Sequence, residues 1–363
     1  MIEKTVSTEG DFPSFEDFDL SARDGILQDV ALLEKTVLET SRKLNGEREY
    51  PDGLPFVYSF LEAACRYFGK KGDHMLCAKA NPGIRCKSGK GIGSSRRKSG
   101  RKGSYKIMIF ETHAHYDDEA YDDDRDALLS SMQENGIGWI VNVGASLKST
   151  LASIKLAEKY PFVYAAAGVH PSETAELNED NFADLKAQCL HKKVVAVGEI
   201  GLDYYWDEPS QETQRLWFAR QLELARAVKK PVIIHSRDAA QDTYDMLKAH
   251  RAEEIGGVIH CFSYSAEMAQ AYVKMGFYIG VGGVVTFKNG RKLREVVEAV
   301  PIERIVLETD SPYLAPEPNR GRRNSSLHIP YIAQRIAEIK EMSYDEVVSV
   351  TKQNARRMYR IES

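Results

Sequence analysis

From about residue 107 onward, short apolar runs alternate with longer amphipathic segments. The runs are IMIFE (from 107), GWIVNVG (138), FVYAAAGV (162), VVAVGEIG (194), PVIIHSR (231), GVIHCF (257), FYIGVGG (277) and RIVLETD (304). Apolar strands separated by helix-length segments are typical of a parallel sheet covered by helices. Eight such units in about 250 residues predict a (β/α)8 TIM barrel. A doubly wound open sheet is the alternative, although no G-x-G-x-x-G motif follows the first run.

Charge is unevenly distributed along the chain. Residues 1–40 hold 3 Lys and Arg against 10 Asp and Glu, whereas residues 41–106 hold 16 against 5. The stretch 85–106 has nine basic residues and no acid among many Gly and Ser, a composition typical of a flexible linker. We therefore predict three parts: a partly helical extension of unknown role (1–84), a basic Gly/Ser-rich linker (85–106) and an acidic barrel domain (107–363).

Composition excludes several classes of protein. Hydrophobic residues make up 43% of the 363 residues, which suffices for a substantial core. The sequence has neither an apolar stretch long enough to cross a bilayer nor a signal-peptide pattern at its start, so we expect no membrane association and a cytoplasmic location. The five scattered cysteines fit reduced thiols better than a disulfide framework.

Polar residues that bind metals recur at one end of the predicted strands. They are His113 and His115 after the first run, Glu199 at the end of the fourth, His235 at the end of the fifth, His260 near the end of the sixth and Asp310 at the end of the eighth. In a TIM barrel all six converge on the carboxyl end of the sheet, where active sites lie. Six nitrogen and oxygen ligands without a cysteine suit two divalent ions that share a carboxylate. This ligand set does not distinguish among Mg²⁺, Mn²⁺ and Zn²⁺. Such ions activate water, so hydrolysis is the expected reaction.

Six motifs carry a family resemblance. They are MIFETHAHYDD (108–118), GVHP (168–171), GEIGLDYYW (198–206), PVIIHSRDA (231–239), HCFS (260–263) and LETDSPYLAPEPNRGRRN (307–324). In order and spacing these segments resemble the TatD family of metal-dependent deoxyribonucleases, within the amidohydrolase-like TIM barrels. The resemblance spans 108–361 and implies a nuclease with exonuclease character, often on single-stranded DNA. The last motif departs slightly, because RGRRNSS stands where an acid and a proline are more usual after the Asn.

The resemblance also implies a division of the ligands between two ions. By motif match, His113, His115, Glu199 and Asp310 surround one ion, and Glu199, His235 and His260 surround the other. Glu199 and Asp310 are then the catalytic carboxylates, with Asp310 as both ligand and proton acceptor for the water that attacks phosphorus.

Substrate-binding residues are predicted from their positions near the same end of the barrel. Arg320 and Arg322 follow the eighth run directly, and arginine forks suit phosphate oxygens. His170 and Arg237 are also well placed by strand position. Tyr204, Tyr205 and Trp206 follow the fourth run and could stack an unpaired base, although packing of their loop is an equal alternative.

Two other functions stay open at this stage. A small-molecule amidohydrolase or esterase would use the same two ions to polarise a carbonyl group. A nucleic-acid tethering protein would depend on the basic linker and would carry an inert barrel. The preferred partner is DNA that is single-stranded or has free ends, and nothing in the sequence indicates a protein partner.

Overall fold

The computed structural model describes residues 108–361. The predicted extension (1–84) and basic linker (85–106) lie outside the described residues, so these two predictions stay open. Within 108–361, none of the helices combines the length and the hydropathy needed to cross a bilayer.

Eight parallel strands form a nearly closed barrel in the described part of the chain, which confirms the predicted (β/α)8 fold. The strands are β1 (Ile109–Ala114), β2 (Ile137–Val143), β3 (Val163–Ala167), β4 (Val194–Asp203), β5 (Val232–Arg237), β6 (Gly257–Ile259), β7 (Tyr278–Val281) and β8 (Ile305–Leu307). Their order in the sheet follows their order in the chain. A parallel bridge between Ala114 and Ser311 then joins β1 to the segment after β8, which distinguishes the barrel from an open sheet.

Helices of 7 to 18 residues alternate with the strands or follow the last one. They are α1 (Arg125–Ser131), α2 (Leu147–Lys159), α3 (Glu179–Cys189), α4 (Gln211–Val228), α5 (Ala240–Ala249), α6 (Ala266–Lys274), α7 (Arg291–Ala299), α8 (Ile329–Lys340) and α9 (Tyr344–Tyr359). The longest, α4, begins where the Ser210 hydroxyl accepts a hydrogen bond from the Thr213 amide. It buries Leu222 and Leu224 against the barrel, whereas Leu216 on the same helix is 55% exposed.

Apolar side chains fill the interior of the barrel. The cluster comprises Phe110, Val141, Val143, Ala166, Ala196, Ile233, Val258 and Val306 from the strands, together with Ala355, Met358 and Tyr359 from α9. Tyr359 stacks against Phe110, near the start of β1, and donates a hydrogen bond to the Thr112 carbonyl. Helix α9 packs against this part of the barrel, whereas the polar cavity lies at the carboxyl ends of the strands.

Strand β4 is longer than its apolar run predicts. Glu199 lies inside this strand instead of at its end, since pairing with β5 continues as far as Asp203 opposite Arg237. The ladder has a register shift between Val197 and Ile200, which locally interrupts the regular alternation of side chains. The prediction that Glu199 ends its strand is therefore wrong in detail, although its side chain still reaches the carboxyl-end cavity.

Candidate metal centre

A cavity of about 720 Å³ opens at the carboxyl end of the barrel. Its lining includes His115, His170, Glu199, His235, His260 and Asp310. His113, the remaining predicted ligand, is almost completely buried beside it. The structure therefore brings together all six predicted metal ligands.

Glu199 occupies the centre of this cluster, with its two carboxylate oxygens directed to different histidines. Its Oε2 lies 3.3 Å from His113 Nε2 and 3.8 Å from His115 Nε2. Its Oε1 lies 2.8 Å from His235 Nδ1 and 3.6 Å from His260 Nε2. One carboxylate thus faces two pairs of imidazole nitrogens.

Asp310 closes the cluster from the segment after β8. Its Oδ1 is 3.5 Å from His115 Nε2 and 3.8 Å from both His113 Nε2 and His260 Nε2. The Asp310 amide donates to the His113 carbonyl, and the His115 amide donates to the Ser311 carbonyl. These two hydrogen bonds connect the end of β1 to the segment after β8 and hold Asp310 close to His113 and His115. The backbone of Asp310 is in the left-handed region, with φ 58°.

The charges of the cluster support one another. Burial works to raise the pKa of the Glu199 carboxyl, but attraction to His260 and His113 outweighs it and holds the pKa well below its ordinary value. Burial likewise opposes ionisation of Asp310, whereas its hydrogen bond to His115 lowers the pKa. The site therefore keeps the buried Glu199 and the partly buried Asp310 ionised, which is the state that binds a cation.

Three histidines are oriented by a hydrogen bond from the ring nitrogen that faces away from the centre of the cluster. His115 Nδ1 is 2.9 Å from the Val143 carbonyl oxygen, a group that only accepts. His260 Nδ1 is 3.3 Å from Glu308 Oε2, and His235 Nε2 is 3.0 Å from Asp203 Oδ2. Such contacts fix the ring orientation and the tautomer of metal-binding histidines. Sequence reasoning missed Glu308 and Asp203, although each lies within four residues of a predicted ligand.

A further buried carboxylate, Glu111, was also missed. It accepts hydrogen bonds from the His113 amide, from the amide and hydroxyl of Thr309 and from the Ser326 hydroxyl. Burial raises its pKa to about 8 despite these hydrogen bonds. Glu111 thereby ties β1 to the segment that carries Asp310. An acid inside an apolar strand-length run was the available sequence signal.

The donor set fits a divalent cation. Within the described residues, several three-residue groups offer ligand atoms that lie within 4.8 Å of one another, among them His113–Glu199–His260, His113–His115–Asp310 and His170–Glu199–His235. The Nε2 atoms of His113 and His115 are 3.1 Å apart, so their lone pairs or protons meet in one place. A cation shared with Glu199 and Asp310 would satisfy these converging atoms, and imidazole with carboxylate suits first-row divalent metals.

The predicted substrate-binding residues divide into two sets. His170 and Arg237 line the cavity, and the Arg237 guanidinium lies 3.8 Å from the Tyr205 ring centre. Arg320 and Arg322 are not among the lining residues, and Arg320 instead lies over the Phe287 ring. The structure thus brings one predicted arginine to the cluster and leaves two outside it.

The three aromatic residues after Asp203 also differ in their surroundings. The Tyr204 hydroxyl donates to Asp242 on α5 and accepts from Arg215 on α4, so this ring is fixed against two helices. Tyr205 and Trp206 are more than half exposed and pack edge to face against each other. Of the three residues, Tyr205 and Trp206 are exposed and Tyr204 is partly buried.

Comparison with known proteins agrees with the geometry. Residues 110–360 match the family described as TatD related DNase. A Bacillus subtilis (strain 168) protein named "Uncharacterized metal-dependent hydrolase YabD" is 43% identical over 254 residues, which are 70% of this chain and 100% of that protein. An Edwardsiella piscicida protein named "3'-5' ssDNA/RNA exonuclease TatD" is 33% identical over 240 residues, which are 64% of this chain and 92% of that protein.

Similarity extends to solved structures. The crystal structure of YJJV, a TatD homologue from Escherichia coli K12, matches with a TM-score of 0.67 and 31% sequence identity, and the match covers 71% of this chain and 100% of that one. The barrel, the His and carboxylate cluster and these relatives agree. This chain belongs to the TatD family of metal-dependent hydrolases.

Proposed function

We propose that the protein is a deoxyribonuclease with exonuclease character, which hydrolyses phosphodiester bonds through a metal-activated water. The observation that carries this proposal is the divided environment of Glu199, whose two oxygens face separate histidine pairs in an open cavity. A carboxylate shared by two cations is suited to phosphoryl chemistry, because paired cations stabilise both the attacking and the leaving oxygen. The relative named as an exonuclease supports the same substrate class.

Two divalent ions are the proposed cofactors, with Mg²⁺ or Mn²⁺ favoured and Zn²⁺ as the alternative. His113, His115 and Asp310 would hold one ion together with Glu199 Oε2. His235 and His260 would hold the other together with Glu199 Oε1. The distances from each oxygen to its own histidines support this division.

The protein's own groups account for the remaining chemistry. When bound, the ions would supply positive charge to the scissile phosphate and make a water molecule more acidic. Asp310 is the more exposed carboxylate, at 19% of its side chain against 5% for Glu199, so it is placed to take a proton from that water. Arg237 brings a permanent positive charge to the cavity wall, where it would bind a phosphate oxygen.

Single-stranded DNA is the proposed form of the substrate. Tyr205 and Trp206 are more than half exposed, and an unpaired base can stack on exposed aromatic rings. A base within a duplex is already stacked and is not free to do so. Tyr205 already carries the Arg237 guanidinium over its ring, which brings a cation to the same place.

A comparative assay tests this function. Metal-loaded protein is incubated with end-labelled single-stranded DNA, duplex DNA, RNA and a panel of esters and amides, with a Glu199→Gln variant as the control for contaminating activity. We expect shortening of single-stranded DNA from an end. Turnover of esters or amides without DNA cleavage would favour a small-molecule amidohydrolase, and binding of DNA without any turnover would favour a tethering protein.

A further inference from the structure

His170 differs from the other cavity histidines in what its ring nitrogens face. Its Nδ1 lies 3.1 Å from the Ser172 backbone nitrogen and 2.8 Å from the Ser172 hydroxyl, at the start of the 3-10 helix Pro171–Glu176. A backbone N–H only donates a hydrogen bond, so Nδ1 must accept it and carries no proton. His170 is therefore the capping residue of this short helix.

This contact fixes the tautomer of the ring. A neutral imidazole has one N–H, and with Nδ1 unprotonated the proton is on Nε2. The same contact excludes the doubly protonated ring, because its Nδ1–H would point at the backbone N–H of Ser172. His115 and His260 are opposite cases, since their Nδ1 atoms face the Val143 carbonyl and the Glu308 carboxylate, so the neutral form of each ring has its lone pair on Nε2.

The Nε2–H of His170 points into the catalytic cavity without a partner there. Glu199 Oε1 is 3.9 Å away, beyond hydrogen-bond distance, and among residues 108–361 this nitrogen makes no hydrogen bond. The ring packs edge to face against His235, with ring centres 4.2 Å apart, so the N–H is adjacent to a proposed ligand of the ions. A nitrogen that carries a proton has no lone pair to offer a metal.

We infer that His170 is a neutral hydrogen-bond donor to an anionic oxygen of the substrate and is not a metal ligand, although its position beside Glu199 and His235 would allow ligation. The identity of that oxygen as a phosphoryl oxygen rests on the proposed function. The donor role itself rests only on the Ser172 contact and on the position of Nε2 in the cavity.

Metal binding separates a donor from a ligand. His170→Ala and His235→Ala are loaded with Mn²⁺ and compared with the wild type by elemental analysis and by titration calorimetry. We expect His170→Ala to keep the wild-type stoichiometry with Mn²⁺ affinity within about threefold, because no ligand is lost. His235→Ala is the matched control and should lose metal, since a ligating imidazole is removed. Loss of metal from His170→Ala to the same degree would overturn the inference.

Anion binding tests the donor directly. The metal-loaded wild type and His170→Ala are titrated with inorganic phosphate, and the affinity should fall about 10- to 100-fold in the variant, as for a lost hydrogen bond to a charged group. His170→Gln, which offers an amide N–H at a similar reach, should recover part of this loss. Unchanged phosphate affinity in His170→Ala would contradict the donor role.

The tautomer can be observed without any substrate. In protein loaded with diamagnetic Mg²⁺ and labelled with ¹⁵N-histidine, correlation spectra should show His170 with a protonated Nε2 and an unprotonated Nδ1, assigned by the signal that disappears in His170→Gln. The reverse tautomer would refute the inference. If the wild type proves inactive on DNA while the tautomer and the metal content are as expected, the proposed nuclease function fails and the donor role stands.

Discussion

The six-ligand cluster and the arginine-containing loop after it illustrate two ways of placing charged groups at the same end of a barrel. The ligands lie within β1, β4 and β5 or within three residues of a strand end, and hydrogen bonds to neighbouring residues orient His115, His235 and His260. The loop 316–324 is not a strand, and two of its arginines, Arg320 and Arg323, contact Phe287 and Asp124 and do not line the cavity. Whether a charged side chain reaches the cavity is therefore predicted better by its position in or next to a strand than by its proximity in sequence to a ligand.

The physical reason lies in the number of constraints on each residue. Gly201 pairs with His235 in the ladder between β4 and β5, so the position of His235 relative to Glu199 is set by backbone hydrogen bonds. Arg323 is held by a salt bridge to Asp124 and by contact with the Tyr121 ring, interactions that sequence does not reveal. Long side chains on loops find partners that depend on the whole fold.

The largest expected effect tests the centre of the cluster. Glu199→Ala removes the carboxylate that faces both histidine pairs, so we expect kcat/KM to fall about a thousandfold or more, as several kcal/mol of transition-state stabilisation are lost. Bound metal should fall in parallel, while circular dichroism stays unchanged. Reversible loss of wild-type activity on chelation is the matching observation. Full activity with wild-type metal content in Glu199→Ala would rule out a shared carboxylate.

A smaller effect is expected at Glu308, which contacts the ligand His260 but is not itself a predicted ligand. Glu308→Gln keeps the shape of the side chain that contacts His260 Nδ1 but removes its charge, so metal affinity should fall about 10- to 100-fold. Titration calorimetry with Mn²⁺ measures this change. Glu295→Gln, at an exposed salt bridge on α7, is the control and should match the wild type. Equal affinity in Glu308→Gln and the control would show that strand position alone orients His260.

Arg237 on the cavity wall and the arginines of the loop 316–324 should differ in their effect on substrate binding. Arg237→Gln should raise KM for a trinucleotide about tenfold, because a charged group on the cavity wall is lost. Arg320→Gln and Arg322→Gln should change it no more than about twofold, as for exposed charges remote from the bond cleaved. The prediction that these two arginines bind substrate stays open for longer strands, so the same variants are assayed on a 30-nucleotide substrate. A larger effect of Arg320 than of Arg237 on the trinucleotide would show that the loop moves over the cavity.

The barrel could be predicted from the sequence because regularly spaced apolar runs report directly on burial. The six metal ligands could be predicted because the carboxyl ends of parallel strands lie at the same edge of the sheet. Sequence reasoning missed Glu111, Glu308 and Asp203 because their importance depends on partners in other elements. Glu111, for example, binds Ser326, a residue 215 positions away. It placed Glu199 at a strand end because an apolar run marks burial and not the extent of backbone pairing.

A still smaller effect is expected from the basic stretch 85–106. Its nine cations without an acid would release counterions from any phosphates they neutralise, so binding should weaken as salt rises. Deleting residues 1–107 should raise KM for long single-stranded DNA and reduce the slope of log KM against log salt by about two, as for about three neutralised phosphates. Turnover of a trinucleotide should stay almost unchanged.

The deletion should affect long substrates and spare short ones. Only a strand that reaches both the basic stretch and the cavity gains from being held at two points, because the second contact then forms within one complex. A full-length variant with the nine Lys and Arg of 85–106 changed to Gln is the matched control, since it removes charge and keeps the length of the chain. Both proteins should show the same reduced slope if charge is the cause. A reduced slope in the truncated protein alone would assign the effect to residues 1–84, and wild-type slopes in both would reject a nucleic-acid role for the whole segment.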